Sequence, residues 1–579
     1  MADLLESAKV LVDCLVESSH FSGPCNFASL SMAERIASRL VATSVGTPGA
    51  SAAPCANDSP TKHLLPIALL LFAAIVPYLN SLPNSFHFDD FPEIVDNEGI
   101  RSLHGLWQAR PLGRWLTYAT YFVNYWLHGL SWLPGWHLVN IFAHAGCVLL
   151  LYQLLNGLCQ STLGLRQFDK HNTFRTPAFC AAILFAVHPL ASEPVNYLQA
   201  RCVLLYTFFT LVALYSVVRL HQSRRLWPKL LFAATATLAI GLAAVSKPVG
   251  LFFAIALPLL YIFVVWLPAS PRKRHLLVSG IGFVSVTGCL AGIWLVRANI
   301  WDGILDRFRG DLPQYFFAQW LIFWRYIGLA VLPLPSRLNV DHTVDYRPYT
   351  WSDGEVILSM IAVFIVVVMP AACLLRRRPA IGFLFLAVPL GLLPYFFLTS
   401  VEAMVEYRFY LPLAFFCGLA GILVSAAMQR IPGRPLMVTF VAILVLLAVG
   451  TAMRNTAWRT DLTLWKDAVA KSPRKARTLN ALAWALLKDE INGDVERGLD
   501  MAKRSLDPRY VDLPPGFNPY MLDTLAEAWF LNGNTAAAVQ IEKHLIQQGF
   551  GDVDYFERQL QRFSQSKHGQ AIDSSSSHR

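Results

Sequence analysis

Apolar residues along this chain come in long unbroken runs, not in the spaced stripes of a soluble amphipathic helix. Runs of about 20 residues, enough to cross a bilayer, lie near 64–82, 136–157, 177–195, 200–219, 229–246, 249–267, 276–296, 354–375, 380–400, 407–428 and 435–453. The pattern predicts an all-α polytopic membrane protein with about eleven spanning helices. A further apolar stretch, Tyr315 to Leu334, contains Gln319 and Arg325 and ends in Pro333 and Pro335. It reads as interfacial or re-entrant. Two long connections, 83–135 and 297–353, separate the runs. They hold aromatic stretches such as Trp115-Leu116-Thr117-Tyr118-Ala119-Thr120-Tyr121-Phe122 that suit a position flat on the bilayer surface.

The pattern changes after Met453. Over residues 454–562 apolar and polar positions alternate with helical periodicity. The stretch from Leu525 to Ala538, with Gly533 between its two halves, has the small–large–Gly–Ala pattern of a tetratricopeptide helix pair. A weaker unit covers Thr478 to Leu506. Two or three such units stack only marginally by themselves, so this region is expected to lean on the membrane domain. The division predicted is an arm over 1–62, weakly helical and then flexible, a transmembrane domain over 63–453, a small C-terminal helical domain over 454–562, and a disordered tail over 563–579. No secretory signal is read at the start, so the first apolar run is expected to remain as a membrane helix.

Composition agrees with this division. The chain is 55% hydrophobic and 15% charged, with a mean hydropathy of +0.43, which excludes a soluble globular protein. The net charge of +10 does not point to nucleic acid, because the basic residues sit in short loops between apolar runs. The loops at 158–176, 220–229, 271–275 and 376–379 are basic, with Asp169 their sole acid. The positive-inside rule puts them in the cytoplasm. An even number of crossings must then separate 271–275 from 376–379. The runs at 276–296 and 354–375 supply two, so Tyr315 to Leu334 is not counted as a span. The N-terminus falls inside and the C-terminus outside. Asp89, Asp90, Glu93, Asp96, Glu98, Glu193, Asp302, Asp306, Asp311, Asp341, Asp345, Glu402 and Glu406 all fall on the outer side. Ten scattered cysteines without a CxxC pair indicate neither a zinc site nor a disulfide framework.

The stretch around which the chemistry gathers is Phe86-His87-Phe88-Asp89-Asp90-Phe91-Pro92-Glu93, just after the first run. Carboxylates at the mouth of a membrane helix do nothing to hold it in lipid. They are either a solvated acidic face or a site. Cations share their side: Arg110 and Arg114, then Arg201, Lys247 and Arg408. His137, Asn140 and His144 follow one helix face, and His188-Pro189 precedes Glu193. Ionisable residues at membrane depth are costly, so each is a functional hypothesis. Each also has a structural reading. His144 lies in an apolar run and suits a structural hydrogen bond. Glu193 and Arg201 suit an internal ion pair, and Lys247 suits snorkelling to the interface.

Taken in order, Phe88-Asp89-Asp90, Ile94 to Asn97, Arg110-Pro111-Leu112, His137 to His144, His188-Pro189 to Glu193, Ala200-Arg201, Ser246-Lys247 and Glu406-Tyr407-Arg408-Phe409-Tyr410-Leu411-Pro412 form a recognisable set. With Trp458 and Trp465 leading into the C-terminal helices, the chain resembles the transmembrane and tetratricopeptide repeat-containing (TMTC-like) family. That family belongs with the protein O-mannosyltransferases in the GT-C membrane glycosyltransferase superfamily. The resemblance covers about residues 64–560. It implies a GT-C-type transmembrane catalytic domain with Asp89 as general base and Asp90 as its partner. It also implies that Arg201, Lys247 and Arg408 lie on the phosphate side, with Arg110, Arg114, His137, His188, Glu193 and Glu406 among the donor- and substrate-binding residues. Two positions depart from the family pattern: Arg201-Cys202-Val203 and Ser246-Lys247-Pro248 each lack an acidic residue that many relatives carry.

The activity implied is an inverting glycosyltransferase that moves a sugar from a polyprenyl-phosphate donor to a hydroxyl acceptor outside the cytoplasm. The acceptor expected is a protein Ser/Thr or a glycan, presented by the C-terminal helices. No metal site is read from the sequence, and no cofactor beyond the lipid-linked sugar is assigned. A bacterial inner membrane, with the C-terminal domain in the periplasm, is the expected location. The alternatives are a non-catalytic scaffold that binds proteins through its helical repeats, or a lipid or glycan transporter. A transporter should place its charges near the bilayer midplane and carry an inverted repeat. Neither feature is read here.

Overall fold

In hydrocarbon a backbone can satisfy its N–H and C=O groups only within its own segment, which confines apolar runs to helices. The structure is a computed structural model that describes residues 61–109, 113–161, 173–269, 312–343, 349–398, 402–431, 434–489, 491–507, 509, 518–549 and 552–565. The predicted arm up to residue 60, Arg110, the run at 276–296 and the tail beyond 565 lie outside these residues. Among the described residues, nine helices are long and apolar enough to cross a membrane. They are Leu64–Ser81, Leu133–Cys159, Arg201–Gln222, Leu226–Ser246, Pro248–Trp266, Gly354–Arg377, Pro379–Phe396, Glu406–Arg430 and Arg434–Ala457. The described residues contain no strand, and the protein is an all-α multi-pass membrane protein. Leu312–Val331 forms a 20-residue helix that is not among the nine.

The run at 177–195 differs from the single straight span expected. Pro177–Ala186 and Pro189–Asn196 meet at an angle of 55°. Pro189 has no N–H to continue the ladder. His188 is extended there and caps the break, its Nδ1 accepting the Leu190 N–H at 3.2 Å.

Small residues let the spans approach closely, as association within lipid requires. A Cβ on Gly421 would lie 2.5 Å from the Ala181 nitrogen, so Glu406–Arg430 meets Pro177–Ala186 backbone against backbone. Gly421→Ala is expected to cost roughly 1–3 kcal/mol by overpacking. Thermal unfolding in detergent checks this, with Gly241→Ala as control, because a Cβ at Gly241 meets nothing within 4 Å.

A ladder of buried amides fixes where three spans end. Asn84 donates to the Asn196 side chain at 2.8 Å, and Asn196 to that of Asn455 at 2.7 Å. Asn455 donates in turn to the Pro77 carbonyl at 2.9 Å and to the Asn80 side chain at 3.0 Å. Buried polar groups satisfied in this way rigidify what they join. The chain leaving the first span is thereby held against the bent pair and the end of the last span.

Six helices follow among the described residues: Asp461–Lys471, Ala476–Lys488, Val495–Ser505, Asn518–Leu531, Thr535–Gln548 and Val553–Gln565. Thr460 and Thr463 form a reciprocal cap on the first. The turn between Asn518–Leu531 and Thr535–Gln548 uses Gly533 at φ 83°, where a side chain would be strained. Trp458, Leu462, Leu464 and Trp465 share one apolar cluster with Tyr197, Ala200 and Val340. The first of these helices is therefore seated on the connections between spans. Ion pairs join the same surfaces: Arg454 to Asp467 at 2.5 Å, Lys475 to Asp341, and Arg477 to Glu402 at 2.7 Å.

Candidate active site

The site is organised by a turn in Phe86–Glu93. The Asp90 N–H donates to the His87 carbonyl at 2.8 Å. Phe88, inside the turn, has φ 49°, a left-handed conformation that no other non-glycine adopts among the described residues. For a bulky residue this costs roughly 1–2 kcal/mol. What holds it there is an aromatic box. The Phe88 ring lies edge-on to Trp465 at 5.1 Å, Tyr197 at 5.6 Å and Trp458 at 6.2 Å.

The two aspartates after Phe88 face opposite environments. Asp90 is fully buried. Its Oδ2 accepts the His87 N–H at 3.0 Å and its Oδ1 the Gln199 N–H at 2.6 Å. Burial pushes its carboxyl up to about 7, against the pull of His87 and of the backbone donors. Asp89 is exposed. Its backbone N–H donates to the Tyr197 hydroxyl at 3.2 Å, and no described residue bonds its carboxylate. One acid therefore ties the loop down, and the other is available.

A run of contacts through two tyrosines leads from the Asp89 backbone to a cation. The Tyr197 and Tyr407 rings lie 6.5 Å apart, and the Lys247 Nζ sits 5.1 Å from the centre of the Tyr407 ring. Ser246 is fixed by the Thr117 hydroxyl, which donates to its carbonyl at 2.9 Å. That bond brings Lys247 beside the helix Trp115–His128, whose N-cap is Arg114. Arg114 donates to Glu93 at 3.1 Å. Burial pushes Lys247 below its usual range; Arg114 and Arg408 push the same way, and Asp89 opposes them. Burial and the Asp89 charge raise Glu93, while Arg114 opposes. Arg408 donates to the Tyr315 hydroxyl at 3.1 Å and lies over the Tyr395 ring at 5.2 Å.

Lys247 thus feels the charges of Asp89, Arg114 and Arg408 together. The remaining sequence candidates are committed to internal partners. His137 Nε2 meets the Asn84 carbonyl at 2.9 Å, and His188 Nε2 the Ala330 carbonyl at 3.0 Å. Glu193 accepts the Tyr407 N–H at 2.9 Å, so it helps hold a residue of the site. Glu406 accepts the Asn339 N–H at 2.6 Å and pairs with His342 at 2.8 Å. Arg201 is fully buried and donates to Asn140 at 2.7 Å, Asn124 at 2.6 Å, Thr120 at 3.2 Å and the Trp136 carbonyl at 2.9 Å. Its partner is an amide shell, not Glu193. His144 bonds the Tyr410 hydroxyl at 2.7 Å and the Ala186 carbonyl at 3.1 Å.

Three contributors were given no role of their own from the sequence. Tyr197 and Tyr407 line the path from Asp89 to Lys247, and uncharged residues give no signal against a background rich in aromatics. Arg477 comes from the C-terminal helices. It pairs with Glu402 at 2.7 Å and feels the Asp89 charge. Burial would raise Glu402, but Arg477 and Arg408 outweigh it and hold the carboxyl low. Nothing local in the sequence marks Arg477. Among the described residues no group of three or more His, Cys, Asp or Glu is arranged to hold a metal ion.

Comparison with known proteins gives one consistent set of relatives. The chain is 26% identical over 467 residues to a protein O-mannosyl-transferase of Caenorhabditis elegans, covering 77% of this chain and 63% of that protein. It is 32% identical over 186 residues to the protein O-mannosyl-transferase Tmtc3 of Drosophila melanogaster, covering 28% of this chain and 20% of the relative. It is 31% identical over 184 residues to the human protein O-mannosyl-transferase TMTC4, covering 27% and 24%. The chain thus spans less than two thirds of the length of these curated relatives. No protein-family model matches it, and no solved structure does.

Proposed function

We propose that this chain, whose curated homologues are TMTC-family protein O-mannosyl-transferases, is itself a glycosyltransferase. It moves a sugar, mannose by analogy with those relatives, from a polyprenyl-phosphate donor to a protein Ser/Thr hydroxyl on the extracytoplasmic side. The observation that carries this is the exposed Asp89 carboxylate, unbonded by any described residue, in the same neighbourhood as Lys247 and Arg114.

The chemistry needs both kinds of group. As the acceptor oxygen forms its bond to the anomeric carbon, its proton passes to the Asp89 carboxylate. The bond from the anomeric carbon to the phosphate oxygen breaks, and the electron pair leaves with the polyprenyl phosphate. Lys247 and Arg114 stabilise the charge that develops there. A single displacement of this kind inverts the anomeric centre. Asp90, Tyr197 and Tyr407 position the loop and the cation.

The test is mannose transfer by the purified full-length protein in lipid nanodiscs, from polyprenyl-phosphate mannose to a Ser/Thr-rich protein acceptor. The product expected is a sugar released by β-elimination. Transfer from a nucleotide sugar without the lipid donor would overturn the donor assignment. Lys247→Ala is expected to raise the donor KM about tenfold, the scale of one charge-assisted contact, and Lys247→Arg to recover most of it. Initial rates against donor concentration check both.

A further inference from the structure

We propose that the first C-terminal helix, Asp461–Lys471, is a positioning element of the catalytic turn, acting through Asp461 on His87 and through Trp465 on Phe88. The proposal rests on the reading of Asp89 as the base, and it assigns to the C-terminal helices a part in catalysis distinct from presenting an acceptor.

The contacts are specific. His87 is fully buried, immediately before Phe88. Its Nδ1 lies 2.6 Å from Asp461 Oδ1, and its Nε2 lies 2.7 Å from the Trp458 carbonyl. The buried ring thus bridges the Asp461 carboxylate and the Trp458 carbonyl, and the His87–Asp461 contact ties the catalytic turn to the helix. The Ser85 N–H also donates to the Arg459 carbonyl at 3.1 Å, two residues before that helix.

The second contact concerns strain. The left-handed Phe88 backbone needs an outside constraint, and Trp465 is the nearest ring of its box, at 5.1 Å. Trp458 precedes the helix, and Tyr197 directly follows the bent pair. Removing Trp465 opens the box on one side and lets Phe88 relax. The direction of Asp89, the next residue, changes with it. Asp461 fixes the residue before Phe88, so the turn is gripped on both sides of its strained bond.

A positioning role separates from binding and from folding in three readouts on the full-length protein. Asp461 is 39% exposed at its side chain, so Asp461→Asn is expected to fold. It should lower kcat about tenfold with donor KM unchanged, and Asp461→Glu should restore most of the loss. Trp465→Ala should lower kcat further, with Trp465→Phe retaining more. Hydrogen exchange at the Asp90 and Gln199 amides, which the catalytic turn protects, should accelerate in Asp461→Asn and Trp465→Ala. It should return towards wild type in the conservative variants. The exchange arm needs no substrate. If the wild-type protein transfers no sugar but exchange responds as stated, the clamp stands and the activity reading fails. If Asp461→Asn and Trp465→Ala leave both exchange and kcat at wild-type values, the clamp is overturned. Loss of kcat in Asp461→Asn with a raised donor KM and unaltered exchange would also overturn it, by making Asp461 a binding residue.

Discussion

Asp89→Asn should lower sugar transfer by about 10³-fold, the scale of a lost general base, and leave the protein as stable as wild type. Both halves follow from the same geometry. The Asp89 side chain is exposed and no described residue bonds its carboxylate, so replacing it removes no internal contact. The backbone bond from its N–H to Tyr197 survives the substitution. An amide keeps the shape and cannot take the acceptor proton. Donor KM should change little, since Lys247 and Arg114 remain. Single-turnover transfer from polyprenyl-phosphate mannose, with thermal unfolding alongside, measures the two halves together. Transfer by Asp89→Asn within a few-fold of wild type would remove Asp89 as the base and with it the carrying observation. The substitution is more informative than truncation to Ala, which would also change the shape of the cleft.

Some of this was legible in the chain and some was not. The spans were legible because an uninterrupted apolar run has one stable fate in lipid. The bend at His188-Pro189 was written in the sequence but not in the hydropathy, which averages over it. The acidic turn was legible as unusual, but nothing in two adjacent aspartates says which faces inward. That depends on the φ of Phe88 and on aromatic partners from distant parts of the chain, Tyr197, Trp458 and Trp465. His137, His188 and Arg201 stood out for a sound reason, since polar groups at membrane depth must be paid for somehow. Satisfaction by carbonyls and amides is one way to meet that cost, and catalysis is another. Arg201, bonded to Asn140, Asn124, Thr120 and Trp136, shows the first. Composition cannot separate the two. Arg477 was illegible for the opposite reason. It lies among ordinary surface arginines, and only tertiary packing brings it to Glu402.

Asp90→Ala is expected to destabilise the protein by roughly 1–3 kcal/mol for each buried donor that it orphans, and to abolish transfer with it. The two donors are the His87 and Gln199 N–H groups, and they lie on separate segments. The bond to His87 closes the turn on itself. The bond to Gln199 pins the turn to the connection after the bent pair. Losing both frees Phe88 to leave its left-handed conformation, which turns Asp89 away from Lys247. Asp90→Asn is the sharper variant. Its single carbonyl oxygen can accept from one of the two N–H groups, and its own amide then faces the other. It also removes a titration. Burial places the Asp90 carboxyl at about 7 in the folded protein, against an ordinary value of 3.8. Between those values the native state holds a proton that the unfolded chain has released. Stability from this group is therefore fully present below about 4, declines as pH rises, and is lost above about 7. In Asp90→Asn that slope disappears while the offset from the unmet N–H remains. Thermal unfolding in detergent at steps between pH 5 and pH 8 reads slope and offset separately. A variant with the wild-type slope would show that another group titrates there. A variant with no offset would show that the turn does not depend on Asp90.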